Sequence, residues 1–215
     1  MKKLYACILI ASFLITSCFG VKTQIDLKKD GSGTAAFQYS VGKAFLETLA
    51  AQDSTNGTPA LPLTREDFEN ATKNIPGIKI KNFNTRDNDR DHIVNVDFIF
   101  NDIKSIVTFL DSQSAKANYQ NDGGKNTLSL YFTDDSQQLG QEEKQFIPYV
   151  FGGYNMEFSI NLPSPTKVVY RNNAGQEIKK IPVGNVTVEK NTVKFVSPMT
   201  DIIVANDPVI VEITW

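Results

Sequence analysis

Cysteine is nearly absent from this chain. The sequence has two, Cys7 and Cys18, both within its first 18 residues. Residues 19–215 have none, so neither a disulfide framework nor a thiolate metal site can be built there, and stability has to come from core burial. Histidine is scarcer still, with His92 alone. A catalytic imidazole needs a nucleophile or acid partner held against it, and one histidine at a strand start brings none. Basic charge is not in excess either: 22 Lys and Arg face 24 Asp and Glu, and leaving out Lys2 and Lys3 makes this 20 against 24, a net charge of −4. With no basic run or face to attract phosphates, nucleic acid is not an expected partner. No apolar run reaches the ~20 residues of a membrane-spanning helix.

Acids are plentiful but nothing pairs them. Arg86-Asp87-Asn88-Asp89-Arg90-Asp91 has acids at every second place, as at the start of a calcium loop. That loop also needs Gly at its sixth place and a bidentate Glu at its twelfth; counted from Asp87, these places hold His92 and Phe98. The run reads as a solvated hairpin turn. Asp30-Gly31-Ser32-Gly33 and Asn121-Asp122-Gly123-Gly124 each join two strands, whereas a phosphate loop ends a strand and opens a helix. Asp134-Asp135 and Glu142-Glu143 are adjacent pairs, which point apart on a helix. The reading is therefore non-enzymatic: no catalytic residue, no metal ligand and no cofactor is assigned.

The chain opens on a pattern of its own. Lys2 and Lys3 precede an apolar run from Leu4 to Thr16, which closes on Ile15-Thr16-Ser17-Cys18. The run has the length of a secretory signal core. Its end resembles the bacterial lipobox: branched apolar, small, small, Cys. The resemblance implies that the Cys18 thiol receives a diacylglycerol, that residues 1–17 are removed as a signal peptide, and that Cys18 becomes the first residue. One acyl chain binds a bilayer only marginally, whereas two or three hold a protein there. The expected place is the bacterial cell envelope, membrane-anchored by lipid and facing the periplasm or the surface. Phe19 stands where an Asp would retain a sorted lipoprotein in the inner membrane; its presence fits delivery to the outer one.

From Gly20 the residues alternate. Val21, Thr23, Ile25 and Leu27 share one face, and Lys22, Gln24, Asp26 and Lys28 the other, as in a half-buried strand. The turn at residues 30–33 returns the chain through Ala35, Phe37 and Tyr39. Val41, Phe45 and Leu49 then repeat as on a helix face. After a loop over 52–63, Thr64 caps a helix striped with Phe68, Ala71, Thr72 and Ile75 and stopped by Pro76-Gly77. A second hairpin spans 78–85 and 93–100, and Ile103, Ile106, Val107 and Leu110 give the helix spacing after it. A third spans 115–120 and Leu128 to Phe132, before a helical stretch over 136–150. After Gly152-Gly153 no helix is expected, only short strands to Trp215. This reads as α+β: an antiparallel sheet built from successive hairpin–helix units with helices packed on one face (18–154), then a β-rich C-terminal part (155–215), in the same domain or a small subdomain.

One stretch is apolar along its length rather than striped: Phe146-Ile147-Pro148-Tyr149-Val150-Phe151-Gly152-Gly153-Tyr154. Phe146, Ile147, Tyr149, Val150, Phe151 and Tyr154 are the candidates for lining an apolar pocket; the alternative is that they pack a helix onto the sheet.

The lipobox, the strand–Asp30-Gly31-Ser32-Gly33–strand unit, the helix with Phe45-Leu46, Tyr154-Asn155-Met156-Glu157-Phe158 with Pro163, and the closing strand ending in Trp together resemble the bacterial envelope lipoproteins of the mycobacterial LppM type. The resemblance implies an envelope domain of sheet and helices that binds lipid or glycolipid. Members of that family often carry a C-terminal membrane helix; this chain ends at Trp215 without one, leaving Cys18 as the expected anchor. No ligand residue carries over. The expected function is a membrane-anchored, non-enzymatic binding domain for a lipid or glycolipid, with an envelope protein-interaction or scaffold module as the alternative.

Overall fold

A computed structural model of the protein describes residues 19–43, 46–47, 62–112, 116–132, 140–164, 166–172, 174–205 and 210–215. The lipobox with Cys18, the Phe45 and Leu49 positions, most of the loop after Gln52, and Asp134-Asp135 lie outside them, as do the side chains of Glu142 and Glu143. The described chain is mixed α+β, with two sheets and four helices. None of those helices is long and apolar enough to cross a membrane.

The first sheet begins as the alternation predicts. In β1 (Phe19–Leu27), Thr23, Ile25 and Leu27 are buried while Lys22 and Gln24 face solvent. It pairs antiparallel with β2 (Gly33–Gly42), which turns Ala35, Tyr39 and Val41 inward. The intervening turn is held by Asp30, whose Oδ1 accepts from the Ser32 amide at 3.0 Å and the Ser32 hydroxyl at 2.7 Å. Gly33 is required there: a Cβ would stand 2.2 Å from the Asp26 carbonyl oxygen and 2.5 Å from the Phe100 ring. β3 (Ile78–Asp87) and β4 (Asp91–Phe100) form the second hairpin, with a bulge between Ile80 and Asn82. Its turn is an Asn88 cap, Oδ1 accepting from the Arg90 and Asp91 amides.

Between these hairpins lies α1 (Arg65–Thr72). Thr64 and Asp67 form a reciprocal capping box, in which the Asp67 carboxylate accepts from the Thr64 amide at 2.8 Å and the Thr64 hydroxyl accepts from the Asp67 amide. After β4 comes α2 (Ile103–Ser112), which buries Ile103, Ile106, Val107, Phe109 and Leu110. The i, i+3, i+4, i+7 stripe is present, and Phe109 widens it, because α2 is covered on most sides. Phe98 and Phe109, with centroids 4.8 Å apart, anchor an aromatic cluster with Phe37 and Phe68.

The second sheet takes β5 (Ala117–Asp122) and β6 (Lys125–Tyr131) as its first hairpin. After α3 (Gln141–Phe151) the chain divides its strands between the sheets. β7 (Asn155–Asn161), β10 (Asn185–Glu189) and β11 (Thr192–Pro198) join the first; β8 (Lys167–Arg171), β9 (Glu177–Ile178) and β12 (Ile210–Thr214) join the second. The orders are β10-β11-β7-β1-β2-β4-β3 and β5-β6-β12-β8-β9. Both sheets contribute to one continuous core, from Ile25, Phe98 and Ile160 in the first to Leu128, Val211 and Ile213 in the second. Phe132 ties them together, stacking on Phe195 at 3.9 Å and meeting Phe158 edge-on.

Three expectations are corrected. There are two sheets, not one. The first is not purely antiparallel: β7 runs parallel to β1, with Val21 opposite Met156 and Asp26 opposite Asn161. Alternation assigns a strand's two faces, but neither its partner nor its direction. Helices do not stop at Gly152-Gly153, because α4 (Met199–Val204) comes after β11. Its Thr200, Ile202, Ile203 and Val204 are β-branched and read as strand formers; packing against α3 makes them helical.

Candidate functional site

The aromatic stretch forms the second half of α3 and the link into β7. Pro148 lies inside the helix and has no N–H to give it. The helix still closes properly: the Gly152 amide donates to the Pro148 carbonyl at 3.0 Å, and Gly153 takes a left-handed φ of 85°. Gly152 is needed for this, since a Cβ there would meet the Pro148 oxygen at 2.3 Å.

The six pocket candidates part company on this frame. Ile147, Phe151 and Tyr154 are buried and, with Met199 of α4, make a small cluster separate from the main core. Val150 is half-buried against it, as are Ile202, Ile203 and Val204 of α4. Phe146 and Tyr149 point the other way and are 56% and 88% exposed. The stretch therefore has two faces, one filled by packing and one offered to solvent; the six side chains do not converge on one hollow.

Tyr154 is the joint that fixes α3 to the sheet. Its hydroxyl donates to Asp91 Oδ1 at 2.5 Å, and the Arg90 guanidinium lies 4.3 Å from its ring centroid. Arg90 also donates from Nη2 to the Gly152 carbonyl at 3.1 Å and sits 3.7 Å from the Asp91 carboxylate. The Tyr154 carbonyl accepts from the Met199 amide at 2.9 Å, which sets the start of α4. Burial, then the bond to Asp91 and its negative charge, push the phenol up to about 12, against a smaller opposing pull from Arg90. At neutral pH this phenol is a hydrogen-bond donor, and it is poorly placed to serve as a base.

The joint also lies beside the start of β1. A Cβ on Gly20 would lie 3.4 Å from Tyr154 Cδ1. Phe19 pairs with Val41, Gly42 with Asp91, and Asn155 with Pro198. The start of β1, the end of β2, the start of β4, the start of β7 and the end of β11 thus share one end of the sheet, and α3 and α4 are attached there. Cys18 precedes Gly20 by two residues, a covalent reach of at most ~7 Å.

The other sequence candidates lie apart. His92 Nδ1 is 2.7 Å from Asp87 Oδ1, a cross-strand pair at the hairpin mouth. Asp91 serves Tyr154. Among the described residues, no three His, Cys, Asp or Glu side chains are grouped so as to hold a metal ion. Sequence reasoning missed the partnership of Tyr154 with Arg90 and Asp91, which are 63 or 64 positions away. It exists only because β2 pairs with β4 and β1 with β7, and no local signal announces either. The packing of Met199 on Phe151 was equally invisible.

No protein-family model matches this sequence, and no curated protein is detectably similar to it.

Proposed function

We propose that the chain is a bacterial envelope lipoprotein, held at a membrane by acyl chains on Cys18, whose folded part is a non-enzymatic binding domain for an apolar ligand of the lipid or glycolipid class. The observation that carries the reading is the outward face of α3. Phe146 and Tyr149 stand about one helical turn apart and both face solvent. The lipobox pattern and the resemblance to LppM-type lipoproteins supply the compartment and the ligand class. On this reading the successive hairpin–helix units, with helices on one face of the sheet, form the scaffold that presents α3.

A second reading has its own support. Ile147, Phe151 and Tyr154 fill a cluster instead of lining a hollow, so the exposed aromatics also suit an envelope protein-interaction module that docks a partner on a flat apolar patch. Uptake of a fluorescent fatty acid and a fluorescent glycolipid by the purified Cys18→Ser protein separates the two. The lipid reading expects saturable binding that weakens in Phe146→Ala while the melting temperature holds. No binding of either probe removes the ligand and leaves the interaction module.

A further inference from the structure

The geometry points to a lipid bilayer surface as the occupant of the exposed face of α3: Phe146 and Tyr149 lie in the headgroup boundary of the membrane that carries the Cys18 anchor. This rests on the anchoring reading and adds an orientation to it. β1 begins at Phe19, directly after Cys18, so no tether separates the folded part from its acyl chains. A protein held that closely has to turn one particular end toward the lipid, and the parallel pairing of β1 with β7 decides which. It brings the start of β1 to the end of the sheet where α3 closes and α4 begins.

The chemistry of that end suits the place. A tyrosine ring with its polar tip, beside a phenylalanine, belongs at the level of lipid headgroups. Helices that lie in this interface sink their apolar face about 5–10 Å into it. Phe146 and Tyr149 are within about 8 Å along the helix axis of Phe151, where α3 joins the sheet. The cations at this end include Arg90, committed to the Tyr154 ring and the Gly152 carbonyl, Lys43, whose amide donates to the Arg90 carbonyl, and Lys144 of α3. The contact is assigned to apolar insertion of Phe146 and Tyr149, which should persist at high salt, unlike docking through charge. The opposite end of the same sheet has the polar turns Lys28–Gly33 and Glu189–Thr192 and carries Val188, 44% exposed, as a comparison site.

The test uses the full chain, expressed in bacteria, purified from membranes and reconstituted into phosphatidylcholine–phosphatidylglycerol vesicles with brominated acyl chains. Trp215, the sole tryptophan, sits next to β12 of the second sheet, and the unaltered protein supplies its baseline quenching. Tyr149→Trp should add quenching severalfold greater than Val188→Trp adds, and 1 M salt (a Debye length of about 3 Å) should not remove it. Mass spectrometry of the same samples reports acylation. A chain acylated on Cys18 and bound to the vesicles, with Tyr149→Trp no more quenched than Val188→Trp, overturns the docking face alone and leaves the anchor reading standing. A chain with no acyl group on Cys18 overturns the anchor reading, and the orientation falls with it.

Discussion

The two ends of the first sheet are built on opposite plans. At one end the turns are short, polar and self-satisfied. Asp30 caps its own loop, Asn161 bridges Asp26 and Thr192, and the Leu162 amide donates to the Asn191 carbonyl. At the other end α3 leads into β7 and β11 leads into α4, a second small core forms, and two aromatic side chains are left facing out. Closing a sheet requires nothing more than the first plan. The second adds a proline inside a helix, two glycines in series and a buried phenol held against a carboxylate, which together build the small core and leave the outer face of α3 exposed.

The largest effect should come from the inner face of that end. Phe151→Ala removes a ring that is 2% exposed and should cost about 3–5 kcal/mol in denaturant unfolding. Tyr154→Phe leaves Asp91 without its phenol partner and should cost about 1.5–3 kcal/mol, as for other hydrogen bonds to charged groups. A double-mutant cycle with Asp91→Asn should show that the two losses are not additive. Phe146→Ala, on the outer face of the same helix, should stay within about 0.5 kcal/mol of the unaltered protein. If Phe146→Ala and Phe151→Ala cost alike, the division of α3 into an inner and an outer face is wrong.

The ends should also differ in their response to pH. The Tyr154 phenol is raised in the folded state, so between its ordinary value near 10 and about 12 the folded protein holds a proton that the unfolded chain has lost. Stability from this group is whole below pH 10 and declines as pH rises. Tyr154→Phe should flatten that decline, leaving the part due to Tyr39, whose phenol burial also raises. Asp30 is shifted the other way: hydrogen bonds from the Ser32 hydroxyl and amide lower its carboxyl below 3.8. Its contribution is whole above that value and fades as pH falls through the folded one. Ser32→Ala should blunt only this smaller, acid-side change, seen as a shift in the acid unfolding midpoint.

Much of this contrast could be read from the residues, and the limits were physical. Thr23, Ile25 and Leu27 announce the inner face of β1 by alternation alone, Ile103 to Leu110 announce α2 by spacing, and Thr64 with Asp67 announces a helix start, because each signal is local. The parallel partnership of β1 with β7 spans more than 130 positions and leaves no trace in either strand's pattern. Met199 to Val204 looks extended to any reading of propensity and is helical only because α3 is there to pack on. The aromatic stretch was conspicuous, but an unstriped helix does not tell which of its residues face inward. Pairing Tyr154 with Asp91, and so turning Phe151 in and Tyr149 out, is work done by tertiary structure.

Hydroxyl-radical footprinting of the vesicle-bound protein against its Cys18→Ser form tests the contrast between the ends most directly. Phe146 and Tyr149 should lose most of their labelling when the acylated chain is on the membrane, while Phe37, half-buried against the core, and Lys28 and Lys29 at the polar end stay unchanged between the two forms. Equal labelling of Phe146 and Tyr149 in both forms, with the acylated chain shown to be vesicle-bound, would contradict the assignment of this end to the membrane.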